Sequence, residues 1–256
     1  MDPLSSSPLP AGVVFDCDGT LADTETLSDQ AWSETLAARG YTATPADFRC
    51  TIGHPFAQNW GFFATKHDLG DQRTFRAELR ERFVALFESD LVVYADAVAT
   101  VRALIAAGVP VAVASSSSHA HVDRVLAHGG LADIVPVVIG ADDVSRHKPD
   151  PEPYRRACEL LGVDPRATSA VEDTSVGITS AVGAGLFTVG VVRRHVDPGE
   201  LAAANRVVRE VTVDALSFAP ADPVHPSARG DRDARDDHDD GCDGRDRAHR
   251  ADRKLA

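Results

Sequence analysis

The chain has 256 residues, of which 43% are hydrophobic and 25% charged, so it carries enough apolar material for one large domain or two modest ones. Its 39 acidic residues outnumber 26 basic ones and give a formal net charge of −13. This balance argues against a nucleic-acid partner, which requires clustered positive charge, and against binding to anionic membranes.

Three features of the sequence predict a cytoplasmic location. No apolar run approaches the roughly 18 residues that a membrane-spanning helix needs. The first ten residues, MDPLSSSPLP, lack the basic and apolar stretches of a secretion signal. The four cysteines include no closely spaced pair, which indicates reduced thiols rather than a disulfide framework.

The two ends of the chain are predicted to lie outside the folded part. Residues 1–11 begin with a stretch rich in proline and serine, which predicts a loose extension. Residues 217–256 are rich in aspartate and arginine and almost free of large aliphatic side chains. Such a segment cannot bury enough apolar surface to offset its ordering entropy, so we expect a disordered charged tail.

Between these ends, short valine-rich runs alternate with amphipathic segments. Strands are predicted over residues 13–15, 109–114, 137–139, 169–171 and 186–192. Helices are predicted to begin at an Asp96 cap, after Ser118, at Pro153 and at Ser175. Strands that alternate with helices of this length predict an α/β fold with a mostly parallel sheet covered on both faces.

Residues 24–91 break this alternation, because they contain no strand-like run. Their apolar spacing predicts four helices: one carrying Leu27 and Leu36, and three that begin near Thr44-Pro45, at His54-Pro55 and after Asp71. The sequence therefore predicts a helical insert over residues 24–91, between core segments at 12–23 and 92–216.

Two pairs of carboxylates follow predicted strands. Asp16 and Asp18 lie at the end of the first strand, and Glu172 and Asp173 come directly after Val171. Ligand sites of open parallel sheets form at the carboxyl ends of strands, and carboxylates are typical ligands of Mg²⁺. Each pair has a simpler alternative, since acids at strand ends also form turns and cap helices.

A run of serines and a lysine are predicted to complete an anion site. Ser115 and Ser116 follow the second strand at the start of a helix, where hydroxyls and backbone amides suit a phosphate. Lys148 lies in the segment HKPDP, whose prolines block regular structure. Taken separately, the serines are more typical of a helix cap and the lysine of the surface.

Together and in this order, these motifs resemble those of the haloacid dehalogenase superfamily. The resemblance spans residues 12 to about 193 and is carried by DCDGT, the serine after the second strand, the lysine before PDP, and the ED pair. It implies a Rossmann-like core with a parallel sheet and a small all-helical cap domain over residues 24–91. Within the superfamily, the sequence most resembles the phosphatase and β-phosphoglucomutase-like branch.

The resemblance implies a Mg²⁺-dependent phosphate monoester hydrolase that forms an aspartyl-phosphate. It makes Asp16 the nucleophile and Asp18 the general acid, then the base. The other implied roles are Mg²⁺ binding by Asp16, Asp18, Glu172 and Asp173, and phosphate binding by Thr20, Ser115, Ser116 and Lys148. We expect a small phosphate ester as substrate, with sugar phosphates leading, and a monomer or weak dimer.

Other members of the superfamily remain as alternatives. The second aspartate, Asp18, disfavours dehalogenases, which do not protonate a leaving halide. A β-phosphoglucomutase is disfavoured because Ser28 stands where that branch has a cap histidine, and His54-Pro55 stands where it has a cap arginine. A catalytically silent binding protein is disfavoured because no motif residue is missing. His119 and His121 are predicted to be exposed polar residues of a first helical turn.

Overall fold

The computed structural model describes residues 8–51, 56–193 and 196–218. The strands are β1 (Gly12–Phe15), β2 (Val111–Ala114), β3 (Val137–Ile139), β4 (Thr168–Glu172), β5 (Phe187–Val191) and β6 (Arg206–Val208). The α-helices are α1 (Thr24–Ala37), α2 (Pro45–Arg49), α3 (Phe56–Ala64), α4 (Gln72–Asp90), α5 (Ala95–Ala106), α6 (His119–His128), α7 (Glu152–Leu161), α8 (Ser175–Ala184) and α9 (Val213–Leu216). Short 3₁₀ turns lie at Ala141–Asp143, Pro165–Ala167 and Pro198–Leu201.

Several predictions for the ends and for one helix start fall outside these residues. They are most of the loose extension over 1–11, most of the disordered tail over 217–256, and the helix start at His54-Pro55. The first two residues of the predicted tail, Ser217 and Phe218, are described: Ser217 is buried, and the Phe218 ring stacks on Phe187 with centroids 4.7 Å apart. These two residues therefore belong to the folded part.

The six strands form one parallel sheet in the order β3-β2-β1-β4-β5-β6, which confirms the predicted fold class. The chain moves outward from β1 in one direction through β2 and β3, and in the other through β4 to β6. The strand order therefore reverses between β1 and β4, the place where open α/β sheets bind ligands. The sequence analysis missed β6, because its three partly exposed edge residues are too few to show a pattern.

Helices cover both faces of the sheet. Successive side chains of a strand point to opposite faces, so Val13 and Phe15 of β1 pack in one cluster and Val14 in another. The first cluster includes Leu104 of α5 and residues of α6, and the second includes Tyr154 of α7 and residues of α8. The sheet is therefore packed between two apolar layers. The polar residues that follow its strands lie at the edge formed by the carboxyl ends of the strands.

Helix α5 begins two residues earlier than an Asp96 cap allows, so that prediction is wrong. Tyr94 precedes the helix, and Asp96 lies in its first turn. The Asp96 carboxylate accepts hydrogen bonds from both Nη atoms of Arg193, at 3.0 and 3.1 Å, and from the Val211 N–H at 2.8 Å. These tertiary partners, which the local sequence does not reveal, take the carboxylate that would otherwise cap the helix.

Helices α1 to α4 all lie within the predicted helical insert, and they share a small apolar cluster of their own. Trp32, Leu36, Phe63 and Phe75 are buried in that cluster. The start of α2 shows the predicted capping arrangement, in which Thr44 and Asp47 bond each other's backbone N–H. The chain enters and leaves the insert side by side, with an Asp23 N–H to Val92 O hydrogen bond of 2.9 Å.

Two of the four cysteines, Cys17 and Cys158, are buried free thiols, as predicted. In the described part of the chain, every helix is too short or too polar to cross a lipid bilayer.

The insert's own apolar cluster should contribute strongly to stability. Phe63 is fully buried and packs against Trp32, with ring centroids 5.4 Å apart. Phe63→Ala should lower the free energy of unfolding by about 3–5 kcal/mol, as truncation of a buried phenylalanine usually does. Urea unfolding followed by circular dichroism measures this loss. Val84→Ala, on the exposed side of α4, is the control, and equal small losses in both variants would contradict the expected packing.

Candidate active site

Three buried carboxylates meet where the strand order reverses. Asp16 directly follows β1, Glu172 ends β4, and Asp173 is the next residue. The three residues are at most 6% exposed, and one carboxylate oxygen of each lies within 4.8 Å of the others. The pairing of β1 with β4 creates this cluster, and the Asp16 N–H donates to Val171 O at 2.9 Å.

A buried lysine joins two of these carboxylates. Lys148 Nζ donates to Asp16 Oδ1 at 2.6 Å and to Glu172 Oε1 at 2.5 Å, and its side chain is only 4% exposed. Burial alone would lower the pKa of Lys148, but the charges of Asp16 and Glu172 raise it well above its usual value. Lys148 is therefore a fixed ammonium ion inside the acidic cluster.

Glu172 has both carboxylate oxygens occupied by donors. Its Oε1 accepts from Lys148 and from the Tyr154 hydroxyl, the latter at 2.8 Å. Its Oε2 accepts from the backbone N–H of Asp173 at 3.1 Å, and from the N–H and hydroxyl of Thr174 at 3.2 and 3.0 Å. Glu172 thus orients Lys148 and the start of α8, while Asp16 and Asp173 present their oxygens to the cluster.

The acidic cluster holds more carboxylates than Lys148 can balance when all are ionised. Burial raises the pKa of Asp16 to about 8, with Lys148 opposing the shift and Glu172 adding to it. Burial and the charge of Asp16 also raise the pKa of Asp173 well above its usual value. These raised pKa values show that further positive charge is needed to hold all three groups as carboxylates, and oxygen ligands suit hard cations. The residues present therefore fit a divalent cation such as Mg²⁺.

Asp18 belongs to a second, adjoining network. Its Oδ2 accepts from the hydroxyls of Ser117 at 2.7 Å and Ser115 at 3.2 Å, and its Oδ1 accepts from the Thr24 hydroxyl at 2.9 Å. His121 Nε2 lies 2.8 Å from the same Oδ1. Burial alone would raise the pKa of Asp18, but these hydrogen bonds, led by that of His121, lower it to about 2.

The predicted phosphate-binding residues lie around these two networks. Thr20 is fully buried, and its hydroxyl donates to Asp173 Oδ1 at 3.1 Å. Ser115 is buried and bonds Asp18, whereas Ser116 is exposed on the same loop. Lys148 lies in the acidic cluster. The structure thus brings all the predicted site residues except Ser116 into contact with the carboxylates, and their phosphate-binding roles stay predictions.

The sequence analysis missed four contacts of the site. Three are Ser117 and Thr24 on Asp18, and Tyr154 on Glu172. The fourth is His121, whose predicted exposure is wrong: its side chain is 17% exposed and packs against Phe87, with ring centroids 5.2 Å apart. The feature of the sequence that could have indicated these residues is their position shortly after the motif residues of the site. The His121 contact depends on α4 lying against α6, which the sequence does not reveal.

Glycines let the carboxylates approach the backbone closely. Gly19 has a φ of +79°, and a Cβ there would lie 2.0 Å from Asp173 Oδ2. Gly177 is in the first turn of α8, and a Cβ there would lie 1.7 Å from Glu172 Oε1. Both positions therefore exclude any side chain unless the carboxylates move.

Comparisons with known proteins agree with this geometry. The family model of haloacid dehalogenase-like hydrolases matches residues 10–185. Validoxylamine A 7'-phosphate phosphatase of Streptomyces hygroscopicus subsp. limoneus is 31% identical over 200 residues, which cover 78% of this chain and 93% of that protein. Fructose-1-phosphate phosphatase YqaB of Escherichia coli is 30% identical over 187 residues, which cover 71% and 96% of the two chains.

A solved structure of a similar protein shares the fold. It is an HAD family hydrolase of Deinococcus radiodurans with bound phosphate and sodium. Its TM-score is 0.70 and its sequence identity 28%, and the match covers 78% of this chain and 92% of that one.

Two glycines of α8 provide a matched test of the packing around Glu172. Gly177→Ala should lower the free energy of unfolding by about 1–3 kcal/mol, because the new methyl group displaces the buried Glu172 carboxylate. Gly183→Ala should raise it by up to about 1 kcal/mol, since its Cβ meets only Pro151 at an ordinary 3.6 Å. Urea unfolding of both variants measures the difference. A Gly177→Ala variant as stable as Gly183→Ala would contradict the close approach.

Proposed function

Because this chain belongs to the haloacid dehalogenase-like hydrolases, we propose that it is a Mg²⁺-dependent phosphate monoester hydrolase that acts through an aspartyl-phosphate on a small phosphorylated metabolite. The observation that carries this proposal is the buried cluster of Asp16, Glu172 and Asp173 around Lys148, at the carboxyl ends of β1 and β4. The names of two relatives, a fructose-1-phosphate phosphatase and a validoxylamine phosphate phosphatase, favour a sugar-like phosphate ester.

Asp16 is the proposed nucleophile. One of its carboxylate oxygens attacks phosphorus, a new O–P bond forms, and the bond from phosphorus to the alcohol oxygen breaks. A phosphate ester and Asp16 are both negative, so the attack requires fixed positive charge. Lys148 supplies part of this positive charge, because its buried ammonium group lies 2.6 Å from Asp16 Oδ1. Replacing this contact by water would cost much free energy, since it would leave a buried charge unpaired.

Asp16 and Asp173 are the proposed carboxylate ligands of Mg²⁺, and the main-chain carbonyl of Asp18 is a further ligand implied by the resemblance. When bound, the cation neutralises charge on the phosphoryl oxygens. Glu172 supports these ligands without free oxygens of its own, since Lys148 and Tyr154 occupy one oxygen and backbone and hydroxyl donors occupy the other.

Asp18 is the proposed general acid and base. It gives a proton to the leaving alcohol, and it then takes a proton from the water that cleaves the aspartyl-phosphate. In the observed arrangement its carboxylate is held by Thr24, Ser115, Ser117 and His121, which keeps it ionised. Protonating the alcohol therefore requires Asp18 to exchange some of these donors for the substrate, which removes what lowers its pKa.

The remaining residues bind and orient. Lys148, Ser115 and Ser116 are the proposed contacts of the phosphoryl oxygens. Thr20 acts on Asp173, because its hydroxyl holds Asp173 Oδ1 and leaves the other oxygen for the cation. This assignment keeps Thr20 in the site as a positioning residue.

We further propose that residues 24–91 form a cap domain over a core made of residues 12–23 and 92–216. The apolar cluster within the insert and the adjacent entry and exit at Asp23 and Val92 support this division.

The cytoplasmic location and the monomer or weak dimer expected from the sequence stay predictions.

The catalytic roles predict a clear order of activities. With p-nitrophenyl phosphate and Mg²⁺, Asp18→Asn should lower kcat by about 10²–10⁴-fold, because it loses the acid and base. Asp16→Asn should lose more, because no aspartyl-phosphate can form. Asp133→Asn changes an exposed aspartate and is the matched control. Chelation should abolish wild-type phosphate release and Mg²⁺ should restore it. Wild-type activity in Asp16→Asn would refute the nucleophile.

The products separate a hydrolase from a mutase. We expect β-glucose 1-phosphate, if accepted, to yield glucose and inorganic phosphate, because Ser28 and His54-Pro55 stand where the mutase branch has its cap histidine and cap arginine. Chromatography of the products and a phosphate assay make the distinction. Glucose 6-phosphate as the main product would favour the mutase, and no turnover across a panel of phosphate esters would favour a silent binding protein.

A further inference from the structure

His121 of α6 is held between Asp18 and the helical insert. Its Nε2 lies 2.8 Å from Asp18 Oδ1 and donates to it, because Asp18 is ionised. Its ring also lies against two rings of α4. The centroid of the Phe83 ring is 6.3 Å away with an angle of 24° between the planes, and that of the Phe87 ring is 5.2 Å away. These three contacts fix the His121 ring and give its hydrogen bond a defined direction.

The contact between α4 and α6 extends beyond His121. The Phe87 ring also meets His128, with centroids 5.5 Å apart, and the Arg124 guanidinium lies over it, 4.6 Å from its centroid. Arg124 further pairs with Glu88 of α4. His121, Arg124 and His128 follow the helical spacing of three and four residues, so one side of α6 lies along the end of α4. The orientation of His121 is therefore set by the packing of two helices.

The two carboxylate oxygens of Asp18 have different surroundings. Oδ2 accepts from the hydroxyls of Ser115 and Ser117, which follow β2 on the side where the phosphoryl group is proposed to bind. Oδ1 accepts from Thr24, at the start of α1, and from His121. When Ser115 turns to a phosphoryl oxygen, Oδ2 loses a donor, whereas both donors of Oδ1 stay in place. Oδ2 is therefore the oxygen that can exchange a proton with the leaving alcohol.

We propose that His121 is a positioning residue for the general acid, which holds Oδ1 of Asp18 so that Oδ2 faces the leaving alcohol. This inference rests on the proposed function. As the bond from phosphorus to the alcohol oxygen breaks, the proton on Oδ2 moves to that oxygen, and the electrons of the Oδ2–H bond stay on Asp18, which becomes a carboxylate again. His121 acts through Asp18 in this step and keeps its own proton.

A carboxyl group needs such a contact because its last torsion is broad, so that fixed donors decide which oxygen faces the substrate. Misplacing a reacting group by about 1 Å can lower a rate by about 10²-fold. The loss of the His121 hydrogen bond should therefore slow proton transfer to the alcohol. Phosphate binding and the attack by Asp16 depend on other residues and should change much less.

Two esters with different leaving groups test the positioning role. The p-nitrophenolate released from p-nitrophenyl phosphate is stable without a proton, whereas the alkoxide released from benzyl phosphate, an ester of similar size, needs one. At fixed free Mg²⁺, kcat/KM covers the steps up to the aspartyl-phosphate, so the later attack of water does not enter it. The ratio of kcat/KM for benzyl phosphate to that for p-nitrophenyl phosphate therefore measures the acid, and it cancels the fraction of folded enzyme.

Asp18→Asn provides the reference and should lower this ratio most. If the wild type rejects benzyl phosphate, the alkyl phosphate of the panel that it hydrolyses fastest takes its place.

Histidine variants of α6 locate the effect. His121→Phe should lower the ratio by about 10–100-fold, because the ring still packs against α4 but its donor is lost. His121→Gln keeps an N–H group near the position of Nε2 and should recover part of the loss. His128→Phe is the matched control, the same substitution on the same helix and against the same Phe87 ring. The His128 Nδ1 atom instead lies 3.0 Å from Arg124 O of its own helix, so this variant should leave the ratio unchanged.

A double variant separates positioning from packing. Adding His121→Phe to Asp18→Asn should not lower the ratio further, because the two changes remove the same acid and their effects are then not additive.

The outcomes separate this inference from the proposed function. An unchanged ratio in His121→Phe, which includes equal losses for the two esters, overturns the positioning role and keeps the phosphatase. A His121→Gln variant as defective as His121→Phe, or a further loss in the double variant, attributes the effect to packing and also overturns the role. If the wild type hydrolyses no phosphate ester at all, the proposed function is wrong and the positioning role falls with it.

Discussion

The contact on which the site depends is the Lys148 ammonium group between Asp16 and Glu172. It joins residues from three separate parts of the chain inside a space that excludes water. Without it, the three carboxylates that the β1–β4 pairing brings together would repel one another in a low-dielectric environment. The lysine alone does not balance three ionised acids, and the remaining negative charge is what the proposed divalent cation would offset.

Glu172 transmits this constraint to the surrounding elements. Through Tyr154 it is tied to α7, and through Thr174 it is tied to the first turn of α8, whose backbone must come close at Gly177. Both helices pack on the same face of the sheet, so their positions and the direction of the Lys148 side chain are set together. A change in any one of these contacts is therefore expected to move the Lys148 ammonium group.

Much of the fold follows from local patterns, and the parts that do not follow depend on tertiary contacts. The alternation of apolar runs and capped helices suffices for β1 to β5 and for α1 to α8, whereas the short α9 was not predicted. The strand-end positions of Asp16 and Glu172 bring these two residues to one edge. Asp96 and His121 were misplaced because their partners, Arg193 and α4, are distant in sequence. No rule of spacing shows that Thr20 bonds Asp173 rather than facing the loop around Asp18.

Asp16 and Asp18 show how surroundings divide two chemically identical side chains. Burial, with a smaller contribution from the charges of neighbouring acids, raises the pKa of Asp16 to about 8, whereas the hydrogen-bond donors around Asp18 lower its pKa to about 2. A divalent cation would reverse the first shift by supplying positive charge at Asp16. A substrate alcohol that displaces donors would reverse the second. In the proposed reaction, each ligand would therefore move the pKa of one of the two aspartates toward the value that its proposed role requires.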